Sequence, residues 1–377
     1  MATGGRPDSF RGSERLLHLS QRLMDWYEEP VSDQDIVEAL GATILPAFRF
    51  AQERLQGKVR KVTLESAFCH SADIAFRAAA LGLPDGVIQA ALLHDVVEDT
   101  SKTLAQAAVV LDEIAATFGA EVATTVSLLT NRFSIAFAAV AQKVRPDMPF
   151  APESGRAFQA ALEVLRWELP PALRERFAHE IASLARFLAD EADFTYGAHI
   201  VKRDRKFTLA VALDRLVYRA YIQDLVRTAA EDGHRAPSGP AVAALVIKLL
   251  DAVDNIRTSE VSNRLSLFKL VNKSEYLADA LGKHLRETPV PKEGLAACIG
   301  PLARLVELRL VDQLDVRRRA VAENFSETRF AGLVIFLAEH TERLRCKYDV
   351  PAARDERIDE LEEEVRSLSL AARGRSK

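Results

Sequence analysis

The stretch Leu92-Leu93-His94-Asp95-Val96-Val97-Glu98-Asp99-Thr100 attaches an imidazole and a carboxylate to the end of an apolar run. An ionised carboxylate buried without a partner is expensive, so something must compensate it. A divalent cation does so by taking nitrogen and oxygen from neighbouring residues. A helix end with both groups in water is the alternative. His70 stands 24 residues before His94, with Ile74 and Leu81 on its helical face. Alone, it reads as a core histidine. In Val246–Thr258, Lys248, Asp251, Asn255 and Thr258 recur at steps of 3, 4 and 3. That is one polar stripe on an otherwise apolar helix, and it needs either partners or open solvent. His70, His94, Asp95 and Asp251 together offer two imidazoles and two carboxylates. This donor set suits Mn²⁺ or Fe²⁺, and Zn²⁺ also fits. Such a cation acidifies water into a nucleophile near neutral pH. Glu98 and Asp99 follow one turn later, where they could orient that water or move protons. An exposed acidic loop is the other reading of this pair.

The elements that must position these residues read at helical period. Leu16, Leu19, Leu23 and Trp26 or Tyr27 recur at helical steps, and Pro30 stops the run. Ser32 caps a second stretch, with Asp33 and Asp35 in its first turn, reaching about Leu55 with a kink or break at Pro46. A helix over 65–81 closes at Gly82, and Pro84 opens another that runs to about Val97. Thr103 with Gln106 forms a capping box before a helix over 104–118, which ends at Gly119 and is followed by a helix over 120–129. Two or three helices are expected across the proline-bearing middle. Helix resumes from Leu209 to about Asp232 and again from Pro240. The region from Arg264 to Tyr348 is helical, and Ile358, Leu361, Val365 and Leu368 form a two-heptad apolar seam. No alternating β-branched runs with hairpin turns occur, so the class is all-α.

Composition narrows the partners. Of 377 residues, 48% are hydrophobic and the net charge is -4, which excludes whole-chain disorder and argues against a large basic nucleic-acid surface. Cys69, Cys298 and Cys346 are few and scattered, which favours a reducing compartment. The first residues carry no apolar signal region and no run is long enough to span a membrane. A cytoplasmic protein with no membrane partner is expected.

The order His70, His94-Asp95, Asp251 resembles HD-domain metal phosphohydrolases. The string from His94 to Thr100, with Lys248-Leu249-Leu250-Asp251 and Asn255-Ile256-Arg257-Thr258, is similar to the hydrolase domain of the RelA/SpoT family. That family removes the 3′-pyrophosphate of (p)ppGpp with Mn²⁺. Phe118-Gly119, Glu121-Val122-Ala123 and Leu128-Leu129-Thr130 resemble the segment after the family's His-Asp loop. The resemblance implies that His70, His94, Asp95 and Asp251 are metal ligands. It makes Glu98 and Asp99 the catalytic acidic pair, and it places Arg60, Lys61, Lys248, Asn255 and Thr258 on the substrate. Between Arg60-Lys61 and His70 this chain lacks the family's usual Gly, Pro and Tyr. Ser71 and Ala252 replace a usual Pro and Arg, and Asp254 stands where His is frequent. No synthetase domain is recognisable.

The expected organisation is an HD-domain helical bundle with a helical insertion and a C-terminal helical extension. Its parts are an N-terminal helix (1–30), a first half-domain (31–131), the insertion (132–207), a second half-domain (208–263), a helical region (264–350) and a coiled-coil-like tail (351–377). The expected function is a Mn²⁺-dependent (p)ppGpp 3′-pyrophosphohydrolase with a small nucleotide as substrate. An HD phosphatase for another phosphate ester and a non-catalytic nucleotide-binding module are the alternatives. The tail seam must pack on something, and a homodimer through it is the favoured option over docking on the chain itself.

Overall fold

In a computed structural model, the described residues are 16, 19, 20, 22, 23, 31–59, 66–141, 152–189, 209–258, 264–287, 291–324, 331–350 and 355–374. Every regular element among them is a helix, in keeping with the expected all-α class. One isolated antiparallel bridge joins Val59 to Ser66.

Glycine and proline punctuate the N-terminal half. Helix α1 (Asp33–Leu40) carries a complete capping box. The Asp35 amide donates to Ser32 Oγ at 3.2 Å, and the Ser32 amide donates to Asp35 Oδ2 at 2.9 Å. Gly41, at φ 95°, ends it. Helix α2 (Leu45–Arg54) starts afresh with Pro46 in its first turn, where a missing N–H costs nothing. The stretch expected to kink or break at Pro46 is two separate helices, divided just before it at residues 41–44. Helix α3 (Ala67–Ala80) closes before Gly82, and α4 (Asp85–Leu93) opens after Pro84. Here a correction is needed: α4 does not reach Val97. His94 and Asp95 form a turn, and α5 (Val96–Thr100) follows. Thr103 caps α6 (Leu104–Phe118) by accepting from the Gln106 amide. Gln106 reaches back to the Lys102 amide, one residue short of the position that a capping box uses. Helix α7 (Ala120–Leu129) follows Gly119.

The middle of the chain holds four helices among its described residues, more than expected: α8 (Arg132–Ala141), α9 (Pro152–Glu168), α10 (Pro171–Arg176) and α11 (Ala178–Ala189). Then come α12 (Leu209–Gly233), α13 (Pro240–Thr258), α14 (Arg264–Glu287), a 3₁₀ turn (Gly294–Cys298), α15 (Ile299–Asn324), α16 (Ala331–Tyr348) and α17 (Asp355–Gly374). Helix α13 is apolar almost all round, which is the pattern of a helix buried on every side. It packs on α3, α4 and α7, and also on α12 and α15, so it draws the two halves of the chain onto one core. No helix among the described residues is long and apolar enough to cross a membrane.

The tail corrects a further expectation. Ile358, Leu361 and Val365 are buried, and Leu368 packs half-buried beside them, against α15 and the 3₁₀ turn. Arg366 Nε donates to the Ala80 carbonyl at the end of α3. The seam is covered by the chain itself and is not offered to a second copy.

Candidate metal centre

Three elements bring the donors together. His70 lies on the first turn of α3, His94 in the turn after α4, and Asp251 on the fourth turn of α13. One ligand atom from each lies within 4.8 Å of the other two, and all three residues are buried. Asp95 lies beside this trio, with Oδ1 3.2 Å from His94 Nε2 and Oδ2 3.8 Å from His70 Nε2. His94 and Asp95 form the turn between α4 and α5.

Each imidazole is held by its Nδ1. In His94, Nδ1 donates to the Ala91 carbonyl at 2.8 Å, which leaves the lone pair on Nε2. That Nε2 is buried and makes no well-aligned hydrogen bond, with Asp95 Oδ1 3.2 Å away as its near neighbour. In His70, Nδ1 lies 2.9 Å from Asp254 Oδ2, while Nε2 faces Asp251 Oδ1 at 3.1 Å. Asp254 is fully buried and is also bound by Arg257 at 2.9 Å. Arg77 approaches it at 3.8 Å, and burial followed by the nearby Arg257 charge lowers the Arg77 pKa to about 10. A carboxylate behind a histidine is the usual device for fixing a ligand's tautomer and aim. Asp254 was not among the residues read as functional from the sequence. Its step of three from Asp251 was the signal that could have found it.

Charge is concentrated here. Burial would raise the Asp251 pKa, but Lys248 and His70 together hold it well below the ordinary carboxylate value. Burial opposes the charge on Asp95 too, and the two imidazoles outweigh it. Burial favours neutral His94, yet the Asp95 carboxylate raises its pKa overall. Two imidazoles and two carboxylates, with His94 Nδ1 committed to the Ala91 carbonyl and its Nε2 turned into the cluster, fit a divalent cation.

Glu98 and Asp99 are exposed residues of α5, the helix that follows the His-Asp turn. Partial desolvation first, and then the like charge of Asp95, raises the pKa of both Glu98 and Asp99. The Asn131 amide donates to Glu98 Oε2 at 3.3 Å.

The polar stripe of α13 faces the core and is not a solvated outer face. Lys248 Nζ lies 2.7 Å from Asp251 Oδ2, and Asn255 Nδ2 donates to Asp251 Oδ1. Thr258 is not brought into the cluster by any bond of its own: its hydroxyl donates to the Asp254 carbonyl. Arg60 and Lys61 lie outside the described residues. Sequence reasoning also missed an aromatic and cationic wall. Lys248 Nζ lies 5.8 Å from the Tyr218 ring centre and 5.9 Å from that of Tyr221, and Lys273 Nζ of α14 lies 4.5 Å from that of Tyr218. Lys248 and Lys273 both act electrostatically on Glu98. No spacing rule links Lys273 to the His-Asp string, so nothing in the sequence pointed to it.

Part of the chain is similar to a known family. Residues 47–149 match the HD domain. The HD match contains His70, His94, Asp95, Glu98 and Asp99, while Asp251 and Asp254 come from α13, beyond it. An HD domain supports a metal-dependent phosphohydrolase in general, and HD domains bind divalent metals. No curated protein and no solved structure shows a significant match to the chain.

Proposed function

We propose that this protein is a metal-dependent nucleotide phosphohydrolase that removes the 3′-pyrophosphate of (p)ppGpp. The observation that carries the reading is His94 Nε2, buried, without a well-aligned hydrogen bond and grouped with His70, Asp251 and the neighbouring Asp95 carboxylate. Leaving such an atom unsatisfied costs free energy that a cation would recover. His70, His94, Asp95 and Asp251 would hold it, with Mn²⁺ as the expected ion and Fe²⁺ or Zn²⁺ suited to the same donors. When bound, the cation neutralises phosphate charge and makes water more acidic.

The chain's own groups supply the rest. Asp254 aims His70, while Lys248 and Asn255 fix Asp251. Glu98 and Asp99, with raised pKa values, retain a proton longer than ordinary carboxyls and pass it to the departing oxygen. Lys248 and Lys273 meet phosphate, and the exposed part of Tyr218 offers a face for a base. Arg60 and Lys61 are assigned to the nucleotide on the strength of the RelA/SpoT resemblance.

A second reading is an HD phosphatase for another nucleotide. It draws support from Thr258, whose hydroxyl is engaged with the helix backbone, and from the departures flanking His70 and Asp251. The test is a panel of phosphorylated nucleotides incubated with Mn²⁺-supplemented protein. Pyrophosphate and guanosine diphosphate from ppGpp support the first reading. Orthophosphate from other nucleotides, with ppGpp intact, transfers the assignment to the second. No turnover of any substrate favours a nucleotide-binding module.

A further inference from the structure

Helices α11, α12 and α14 enclose a cleft of about 700 Å³ that shares no lining residue with the metal centre. Each helix contributes one stripe at helical spacing. Helix α11 gives His179 and Arg186, α12 gives Arg219 and Arg227, and α14 gives Lys283 and His284. On α12, Arg219 and Arg227 project from the face opposite Tyr218 and Tyr221, at about 100° per residue. The tyrosines turn toward the metal side, where the Tyr221 hydroxyl donates to the Leu129 carbonyl. The cleft therefore lies across α12 from the HD site. Ala220 and Ala280, both small and buried, leave its floor unfilled.

Its charge balance is cationic. Among its lining residues, Arg186, Arg219, Arg227 and Lys283 face two carboxylates, Asp224 and Asp279, and Arg227 also pairs with Glu231 at 3.1 Å, outside the lining. Both carboxylates are engaged. Asp224 accepts from Arg227 at 2.7 Å and from His179 at 2.9 Å, and Asp279 pairs with Lys347 at 2.8 Å. Arg186 and Lys283 have no ion-pair partner among the described residues. Like charges gathered around a concave space raise the local concentration of anions. Guanidinium forks match phosphate oxygens two at a time. The volume is that of a small-molecule site and exceeds what a lone inorganic anion fills.

We propose that this cleft is a second ligand site, specific for a phosphorylated small molecule carrying two or more phosphate charges. Arg186 and Lys283 contact the phosphates, and Arg219 and Arg227 complete the cationic rim. The proposal is independent of the reaction assigned to the metal centre.

Inorganic tripolyphosphate is the probe, titrated calorimetrically into the full-length protein, with citrate as a carboxylate of comparable charge. Wild type and Asp251→Ala bind tripolyphosphate with the same affinity, because the cleft does not use the metal centre. Arg186→Ala with Lys283→Ala weakens binding by about tenfold or more, whereas Arg186→Lys with Lys283→Arg largely retains it. Both positions are exposed, so the alanine pair keeps its fold, and circular dichroism checks this. Absence of tripolyphosphate binding overturns the proposal, as does unchanged affinity in the alanine pair or loss of binding in Asp251→Ala. Equally tight binding of citrate overturns the phosphate specificity.

Discussion

His70 and Asp254 meet through Nδ1 and Oδ2 at 2.9 Å, inside a region where both side chains are almost fully buried. The contact ties the histidine's tautomer to a carboxylate on a different helix and leaves Nε2 toward Asp251. Asp254→Asn exchanges an obligate acceptor for a group that also donates. Metal affinity should fall about 10- to 100-fold, measured by chelator competition, with the helical signal retained. Unaltered affinity would remove Asp254 from the account.

The acidic pair separates binding from chemistry. Glu98→Gln with Asp99→Asn leaves His70, His94, Asp95 and Asp251 in place. Metal and nucleotide affinity should persist while turnover drops by about 10²–10⁴-fold. Wild-type rates in this double variant would show that the pair moves no proton.

Lys273 belongs to α14, well beyond the HD match, yet it stands over Tyr218 and acts on Glu98. Lys273→Ala should raise KM for a phosphorylated nucleotide by about tenfold with kcat nearly unchanged, as expected for one lost charged contact. A fall in kcat at constant KM would instead place Lys273 in the chemical step.

The tail docks on its own chain, so its seam is a stability element. Leu361 is 2% exposed. Leu361→Ala should cost about 2–5 kcal/mol in denaturant unfolding without altering the solution mass. A change of mass with unchanged stability would restore the idea of a partner chain.

Acid sensitivity has a source away from the candidate metal centre. Burial opposes the Glu275 charge, but the hydrogen bonds and charges of Arg343, with help from Lys347, outweigh it and hold the pKa below its ordinary 4.5. A depressed folded pKa gives stability that is present above the unfolded value and is lost as pH falls through the folded one. Arg343→Met should therefore lower Tm at pH 7 and leave less difference from wild type below pH about 4. An equal Tm deficit at both pH values would mean that Arg343 acts by packing alone.

Much of this arrangement was legible in the sequence because glycine, proline and capping side chains act locally. Ser32, Gly41, Gly82, Pro84, Thr103 and Gly119 stand at helix boundaries, as their types require. The two imidazoles, Asp95 and Asp251 were legible by type and order. The break after Leu93 was not, since His94 and Asp95 keep helical backbone angles and carry no breaker. The fate of the tail was also hidden. An a/d seam looks the same whether it meets a copy of itself or the 3₁₀ turn beside Cys298. Lys273 and the cleft between α11, α12 and α14 depend on packing between distant helices, which a linear pattern does not encode.

The assignment of the metal centre rests on Asp251 closing a cluster begun by His70 and His94. The most direct test is divalent-metal content per chain, by elemental analysis of wild type and Asp251→Ala purified and reconstituted side by side. The account predicts about one tightly held ion per chain in wild type. In the variant it predicts loss of that ion together with a lower Tm. Retention of about one ion per chain by Asp251→Ala would contradict it.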